Sequence, residues 1–205
     1  MTFGRAAAWS SVLLLAAATA GLAAPRGEAP DDAARLMDDL MSGRGPVGGP
    51  FALTDTQGRR RSLAEFRGRI VLLYFGYTAC PDACPADLAQ IARAVSTLDD
   101  GTEPIQPIFI TLDPERDTAR ILRDYASAFH PRLLALRGTP AQIRAVARAY
   151  KVAFRRVPSS GSQAYVLDHT AFTYVLDREG KYVAFLPPGT PAERMTAMVR
   201  KLLQE

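Results

Sequence analysis

Beyond residue 50 the chain alternates short unbroken apolar runs with stretches whose apolar residues recur every three or four positions. Runs of the first kind predict strands, and stretches of the second kind predict amphipathic helices. Phe51-Ala52-Leu53-Thr54 followed by a Gln57-Gly58 turn predicts a hairpin, and Ile70 to Phe75 reads as a strand buried on both faces. Pro85 then opens a helix whose inward stripe is Leu88, Ile91, Ala92, Val95 and Leu98. A second, β-branched run, Ile105 to Leu112, ends at Asp113-Pro114.

Asp117 or Thr118 caps the next helix, which carries Ile121, Leu122, Tyr125 and Phe129 until His130-Pro131 ends it. Leu133 to Leu136 predicts a short strand, and Thr139-Pro140 starts a third helix through Ile143, Val146, Ala147 and Tyr150. Pro158 to Ser162 reads as a flexible loop. Ala171 to Leu176 and Lys181 to Leu186 flank Asp177-Arg178-Glu179-Gly180 as an antiparallel hairpin. Thr190-Pro191 caps a last helix with Met195, Met198, Val199 and Leu202. A buried strand feeding a helix, a second parallel strand and a closing hairpin with a terminal helix make the thioredoxin-like arrangement. This is an α/β fold with a central mixed sheet, helices on both faces and, here, an N-terminal hairpin. Function in such a fold gathers where the first long strand meets its helix.

Residues 1–24 have the shape of an export signal: Arg5, then an uncharged stretch from Ala6 to Pro25 whose most apolar part is Val12 to Ala18. Small residues at Ala18-Thr19-Ala20 and from Gly21 to Ala24 offer a signal peptidase more than one place to cut. The competing reading is an uncleaved membrane anchor, since the stretch approaches the roughly 20 residues that span a bilayer, although its alanine richness makes it a weak one. No cysteine follows to carry a lipid. Both readings put the rest of the chain in the periplasm, soluble or attached to the outer face of the inner membrane. Residues 25–47 read as a linker in which Ala33, Leu36, Met37, Leu40 and Met41 mark a short amphipathic helix, and residues 48–205 as the functional domain.

Composition narrows the function classes. With 205 residues, 48% hydrophobic and 22% charged, the chain can bury one core and is neither disordered nor a coiled coil. Its formal charge of +4 comes with no basic run longer than Arg59-Arg60-Arg61 and no interleaved aromatics, which removes nucleic acid as a partner. Two cysteines are too few for a disulfide framework.

Both cysteines fall between the first long strand and its helix, in Cys80-Pro81-Asp82-Ala83-Cys84-Pro85. Cysteines at this spacing lie on one face if the turn between them is helical, and a helix N-terminus lowers a thiol pKa. The pair suits redox or metal chemistry, whereas a structural disulfide closing so short a loop would stabilise little. A third ligand decides. His130 reads as a helix-end residue near exposed carbonyls, while His169, in Asp168-His169-Thr170, stands at the mouth of the closing hairpin and, taken alone, reads as a structural residue or as that ligand. Two thiolates and an imidazole suit copper, held as Cu(I) by the sulfurs and acceptable as Cu(II) with the nitrogen. A structural zinc site wants a fourth ligand, for which Asp82 or Asp168 could serve, and counting leaves that open. Met37 with Met41 and Met195 with Met198 fall on apolar stripes and read as packing.

An ordered set of motifs resembles the Sco/SenC family. The set comprises Gly48-Gly49-Pro50-Phe51, Phe66-Arg67-Gly68, Tyr74-Phe75-Gly76-Tyr77-Thr78, Cys80 to Pro85, Asp113-Pro114-Glu115-Arg116-Asp117, Phe129-His130-Pro131, Gly138-Thr139 and Asp168-His169. The resemblance implies an exported or membrane-anchored thioredoxin-like protein that binds one copper ion. Such a protein helps assemble the binuclear copper centre in subunit II of cytochrome c oxidase, or serves another periplasmic copper protein. The family's ligands fall on Cys80, Cys84 and His169. Asp168 is then a group beside the ligand that orients the imidazole, and Asp82 tunes the charge of the pair or meets the partner.

Two jobs compete within this resemblance. A metallochaperone hands copper on by ligand exchange, whereas a thiol-disulfide reductase uses Cys80 and Cys84 as a dithiol to keep a partner's cysteines reduced. Only the first needs His169. Peroxidase chemistry is a poorer match, because the peroxiredoxin pattern wants proline and threonine or serine at fixed positions ahead of the reactive cysteine. Those positions hold Leu73 and Tyr77 before Cys80, and Tyr77 and Pro81 before Cys84.

Overall fold

The computed structural model describes residues 1–2, 47–99, 104–159 and 164–204. Residues 3–46, which hold nearly all of the expected export signal and linker and the expected amphipathic segment with Met37 and Met41, lie outside these residues. Among the described residues no helix is long and apolar enough to cross a membrane.

All seven residues of β3 (Ile70–Gly76) are buried, as are all seven of β4 (Ile105–Thr111), which explains the unbroken apolar runs. The two run parallel, with Ile70 level with Ile105 and Gly76 level with Thr111. β5 (Leu134–Arg137) pairs parallel to β4. On the other side of β3 the closing hairpin, β8 (Thr173–Leu176) and β9 (Tyr182–Leu186), runs antiparallel. The N-terminal hairpin of β1 (Ala52–Asp55) and β2 (Arg60–Ser62) extends the far edge, giving the order β2-β1-β5-β4-β3-β8-β9. Its turn needs Gly58, whose φ of 81° favours glycine, and Asp55 accepts the N–H groups of Gln57 and Arg59 at 2.8 and 3.0 Å.

Neighbouring side chains of β3 show how the layers form. Tyr74 reaches Asp87 of α1 (Ala83–Leu98), whereas the ring of Phe75 packs on Tyr150 just beyond α3 (Pro140–Ala149), so these helices cover opposite faces. Phe109, level with Tyr74, stacks on Tyr125 of α2 (Ala119–Ser127), and α4 (Ala192–Gln204) packs on α1, completing the first face. Thr118 caps α2, and Thr139 with Gln142 forms a capping box on α3, each cap worth about 1 kcal/mol.

Two details depart from the sequence pattern. Helix α1 begins at Ala83 rather than Pro85, because a proline in the first turn gives up only an N–H that has no intrahelical partner. A two-stranded ribbon, β6 (Phe154–Pro158) with β7 (Tyr165–His169), stands outside the main sheet. Its burial is one-sided and slight, and only Leu167 joins the core, so no clean alternation announces it.

Candidate metal centre

The chain leaves β3 at Gly76 and turns through Tyr77 and Thr78 toward the helix. Thr78 is pinned by the buried Asp117, which accepts its hydroxyl at 2.6 Å and its N–H at 3.1 Å, and also accepts the hydroxyl of Thr111. The turn therefore stays level with the end of β4. Asp82 is the N-cap of α1, yet its side chain makes no capping bond. The Sγ of Cys80 takes that place: it accepts the N–H of Cys84 at 3.4 Å and is also bonded by the backbone of Asp82. A helix N-terminus aimed at sulfur favours its charged form.

His169 arrives on the last residue of β7. Its Nε2 lies 3.4 Å from the Sγ of Cys84, and its Nδ1 is 3.0 Å from the carbonyl of Thr170. A carbonyl only accepts, so the ring proton is on Nδ1 and the lone pair of Nε2 faces the sulfurs. The edge of the ring meets Tyr77 with centroids 5.9 Å apart. The ribbon that carries it is clamped by Arg116, which donates to the carbonyl of Tyr165 at 2.9 Å and lies 3.8 Å over the Tyr165 ring. Arg116 also pairs with Asp113, whose carboxylate accepts the Tyr165 hydroxyl at 3.0 Å.

The ligand atoms of Cys80, Cys84 and His169 all lie within 4.8 Å of one another. Both cysteines are free thiols, Cys84 fully buried and Cys80 partly exposed. They share a proton unequally. The hydrogen bond from Cys84 above all draws Cys80 down to about 3 against the opposing effect of burial, and the N–H groups of Asp82 and Cys84 add to it. The neighbouring Cys80 sulfur and then burial push Cys84 up. Cys80 is thus the thiolate and Cys84 the thiol.

Two soft sulfurs and one imidazole form a three-donor set that fits copper in either oxidation state. The group contains neither Asp82 nor Asp168, so among the described residues a four-coordinate zinc site lacks its last ligand. Asp82 is exposed at the rim. Asp168 faces away, paired at 2.8 Å with Arg155, because successive residues of a strand point to opposite sides. The Thr170 carbonyl, in place of the expected Asp168, is what holds the imidazole. Met195 is buried in the core and Met198 packs against it.

Sequence reasoning missed several supporting residues. A Cβ on Gly76 would meet the Sγ of Cys84 at 2.8 Å. Asp87, one turn after Cys84, accepts the Tyr74 hydroxyl at 3.1 Å and the Gly189 N–H at 2.7 Å, tying strand, helix and the loop before α4 beneath the site. Gly76, Tyr74, Asp113 and Asp117 stood within the recognised motifs, although nothing local revealed their roles. Asp87 carried no signal beyond a polar residue on a helix.

The SCO1/SenC family model matches residues 40–204. The bovine mitochondrial SCO2 homolog is 43% identical over 155 residues, covering 75% of this chain and 58% of its own length. A SCO2-like protein of Rickettsia prowazekii is 42% identical over 138 residues, 67% of each chain. The matched part thus spans under two thirds of the bovine relative. Among solved structures, Arabidopsis thaliana ScoI with copper bound superposes with a TM-score of 0.72 at 34% identity, covering 77% of this chain and 98% of that one. With its thioredoxin-like sheet and the pair of cysteines at the end of β3, this chain belongs to the SCO1/SenC family.

Proposed function

We propose that this chain is an exported copper metallochaperone that holds one Cu(I) or Cu(II) ion on Cys80, Cys84 and His169. Its destination is the binuclear copper centre of cytochrome c oxidase subunit II. The observation that carries this reading is the convergence of two sulfurs and an imidazole nitrogen within 4.8 Å. The copper bound in the Arabidopsis relative supports it, and so does membership of a family tied to oxidase assembly. Export rests on the uncharged N-terminal stretch and on relatives that are mitochondrial or bacterial.

Copper is cargo here, and the three donors divide the work of holding and releasing it. Cys84 and His169 form the inner wall, fixed by the core and by the Thr170 carbonyl. Cys80, partly exposed and already a thiolate, is the donor that a partner's sulfur replaces first.

The same asymmetry favours a second reading, a thiol-disulfide reductase. The Cys80 thiolate attacks a partner disulfide, forming a mixed disulfide and releasing one partner thiolate. Cys84, giving up its proton, then attacks the Cys80 sulfur and releases the second. Two electrons pass to the partner, and an external dithiol must reduce Cys80 and Cys84 again.

Anaerobic copper titration of the reduced protein, followed by oxidation and electronic spectroscopy, tests both. One tightly held copper per chain, with thiolate-to-Cu(II) charge transfer that Cys80→Ser abolishes, is the expected result. No specific copper together with a readily reducible Cys80–Cys84 disulfide would leave the reductase.

A further inference from the structure

Gln106 and Leu134 stand at the start of β4 and β5, the end of the parallel strands away from Gly76 and the cysteines. There, beneath the β1–β2 turn and beside the C-terminal end of α2, lies a cavity of about 340 Å³. Arg59, Arg61, Arg123, Arg132 and His130 line it, and the one carboxylate on its wall is Asp55. None of these residues belongs to the metal centre.

The arginines are incompletely matched. Arg59 and Arg61 share the Oδ2 of Asp55, at 2.8 and 3.6 Å, and Arg61 also reaches Glu65 at 2.7 Å. Arg123 donates only to a neutral acceptor, the carbonyl of Thr56 at 2.8 Å. Arg132 pairs through Nη2 with a carboxylate oxygen of Asp99 at 3.1 Å and donates through Nη1 to the carbonyl of Ile105 at 3.3 Å, while its buried Nε makes no hydrogen bond. His130 accepts the N–H of Arg132 on Nδ1 at 3.1 Å, so its ring proton is on Nε2. Burial, with the charge of Arg132, keeps the ring neutral and therefore a plain donor.

Solvation of surface arginines would account for the exposed members, but not for the buried Nε of Arg132, which lacks an acceptor. Four arginines face Asp55, Glu65 and Asp99, which leaves one positive charge in excess and the Arg132 Nε without an acceptor, and an oxygen anion supplies both. Guanidinium forks match phosphate oxygens in pairs, and a phosphate group, free or in a diester headgroup, carries the charge that offsets the excess.

We propose that this cavity binds a phosphate group, supplied as inorganic phosphate or as the headgroup of an anionic phospholipid. The full-length chain is titrated with inorganic phosphate against chloride at equal ionic strength while its melting temperature is followed. Saturable stabilisation is expected, weakened at least about tenfold in Arg123→Glu. Arg60→Glu makes the same charge change on the adjacent surface, outside the cavity, and retains binding.

A parallel arm measures co-sedimentation with phosphatidylglycerol and phosphatidylcholine vesicles. Binding to the anionic vesicles that Arg123→Glu loses and Arg60→Glu keeps identifies the headgroup as the source. Stabilisation by inorganic phosphate without vesicle binding identifies the free ion. Absence of saturable binding in both arms overturns the proposal, and so does equal weakening by the two substitutions. Arg123 is exposed and holds one carbonyl, so both variants fold, which circular dichroism and unchanged copper loading verify.

Discussion

A Cβ on Gly76 would stand 2.8 Å from the Sγ of Cys84 and 3.1 Å from the rings of Phe109 and Tyr74. The strand end is a glycine because the inner sulfur occupies the space of a side chain. Gly76→Ala must push Cys84 or the rings aside, an overpacking cost of about 1–3 kcal/mol in stability. Because the displaced atom is one of the proposed copper donors, copper affinity is expected to fall as well. Chemical denaturation and copper competition on the same variant check this. A variant of unchanged affinity would show that Cys84 is not held by this contact.

Asp87 gives the structure a pH dependence. Burial raises its pKa above the ordinary 3.8, with Gly189 and Tyr74 opposing. The folded state therefore binds more protons than the unfolded chain just above 3.8, and stability is lost as pH rises through the folded value. Asp87→Asn removes this slope while keeping an acceptor for Gly189. Unfolding free energies of the two proteins, measured across mildly acidic pH, should diverge in favour of the asparagine as pH rises. Parallel curves would mean that Asp87 titrates normally.

How far the pattern of residues foretold this arrangement depends on the range of the contacts. The fully buried β3 and β4 and the Pro140 helix are written in local runs and caps, and Cys80 and Cys84 meet because one turn of chain joins them. His169 is different: 85 residues separate it from Cys84, and only family resemblance singled it out. The ribbon that delivers it hid because Arg155 and Arg156 interrupt the apolar pattern of β6. Strand alternation turns the carboxylate of Asp168 toward Arg155 and away from the imidazole it was expected to orient. Asp87 and the arginine cavity depend on several elements meeting at once, which no single stretch of sequence encodes.

The unequal sharing of a proton predicts selective alkylation. With Cys80 drawn down to about 3 and Cys84 pushed up, the apo pair carries one negative charge through neutrality, localised on the more exposed sulfur. Iodoacetamide should modify Cys80 alone, at a rate nearly constant between about pH 5 and 8, where an ordinary thiol loses about tenfold per unit. Mass spectrometry of timed digests reads the site and the rate. Rates that rise tenfold per unit would place Cys80 among ordinary thiols.

The final pair of substitutions separates the ligand from its neighbour. His169→Ala removes the nitrogen and leaves two sulfurs, a set that still holds Cu(I) but not Cu(II), so the charge-transfer absorption disappears while Cu(I) competition changes less. Asp168→Ala removes an exposed ion pair with Arg155, worth at most about 1 kcal/mol, and leaves the Thr170 hydrogen bond that fixes the imidazole. Its spectrum and Cu(II) affinity should match the parent within about twofold, far below the 10–100-fold loss that removing a true orienting group causes. A large loss in Asp168→Ala would instead return the orienting role to that carboxylate. Equal retention of both copper states in His169→Ala would remove the histidine from the ligand set.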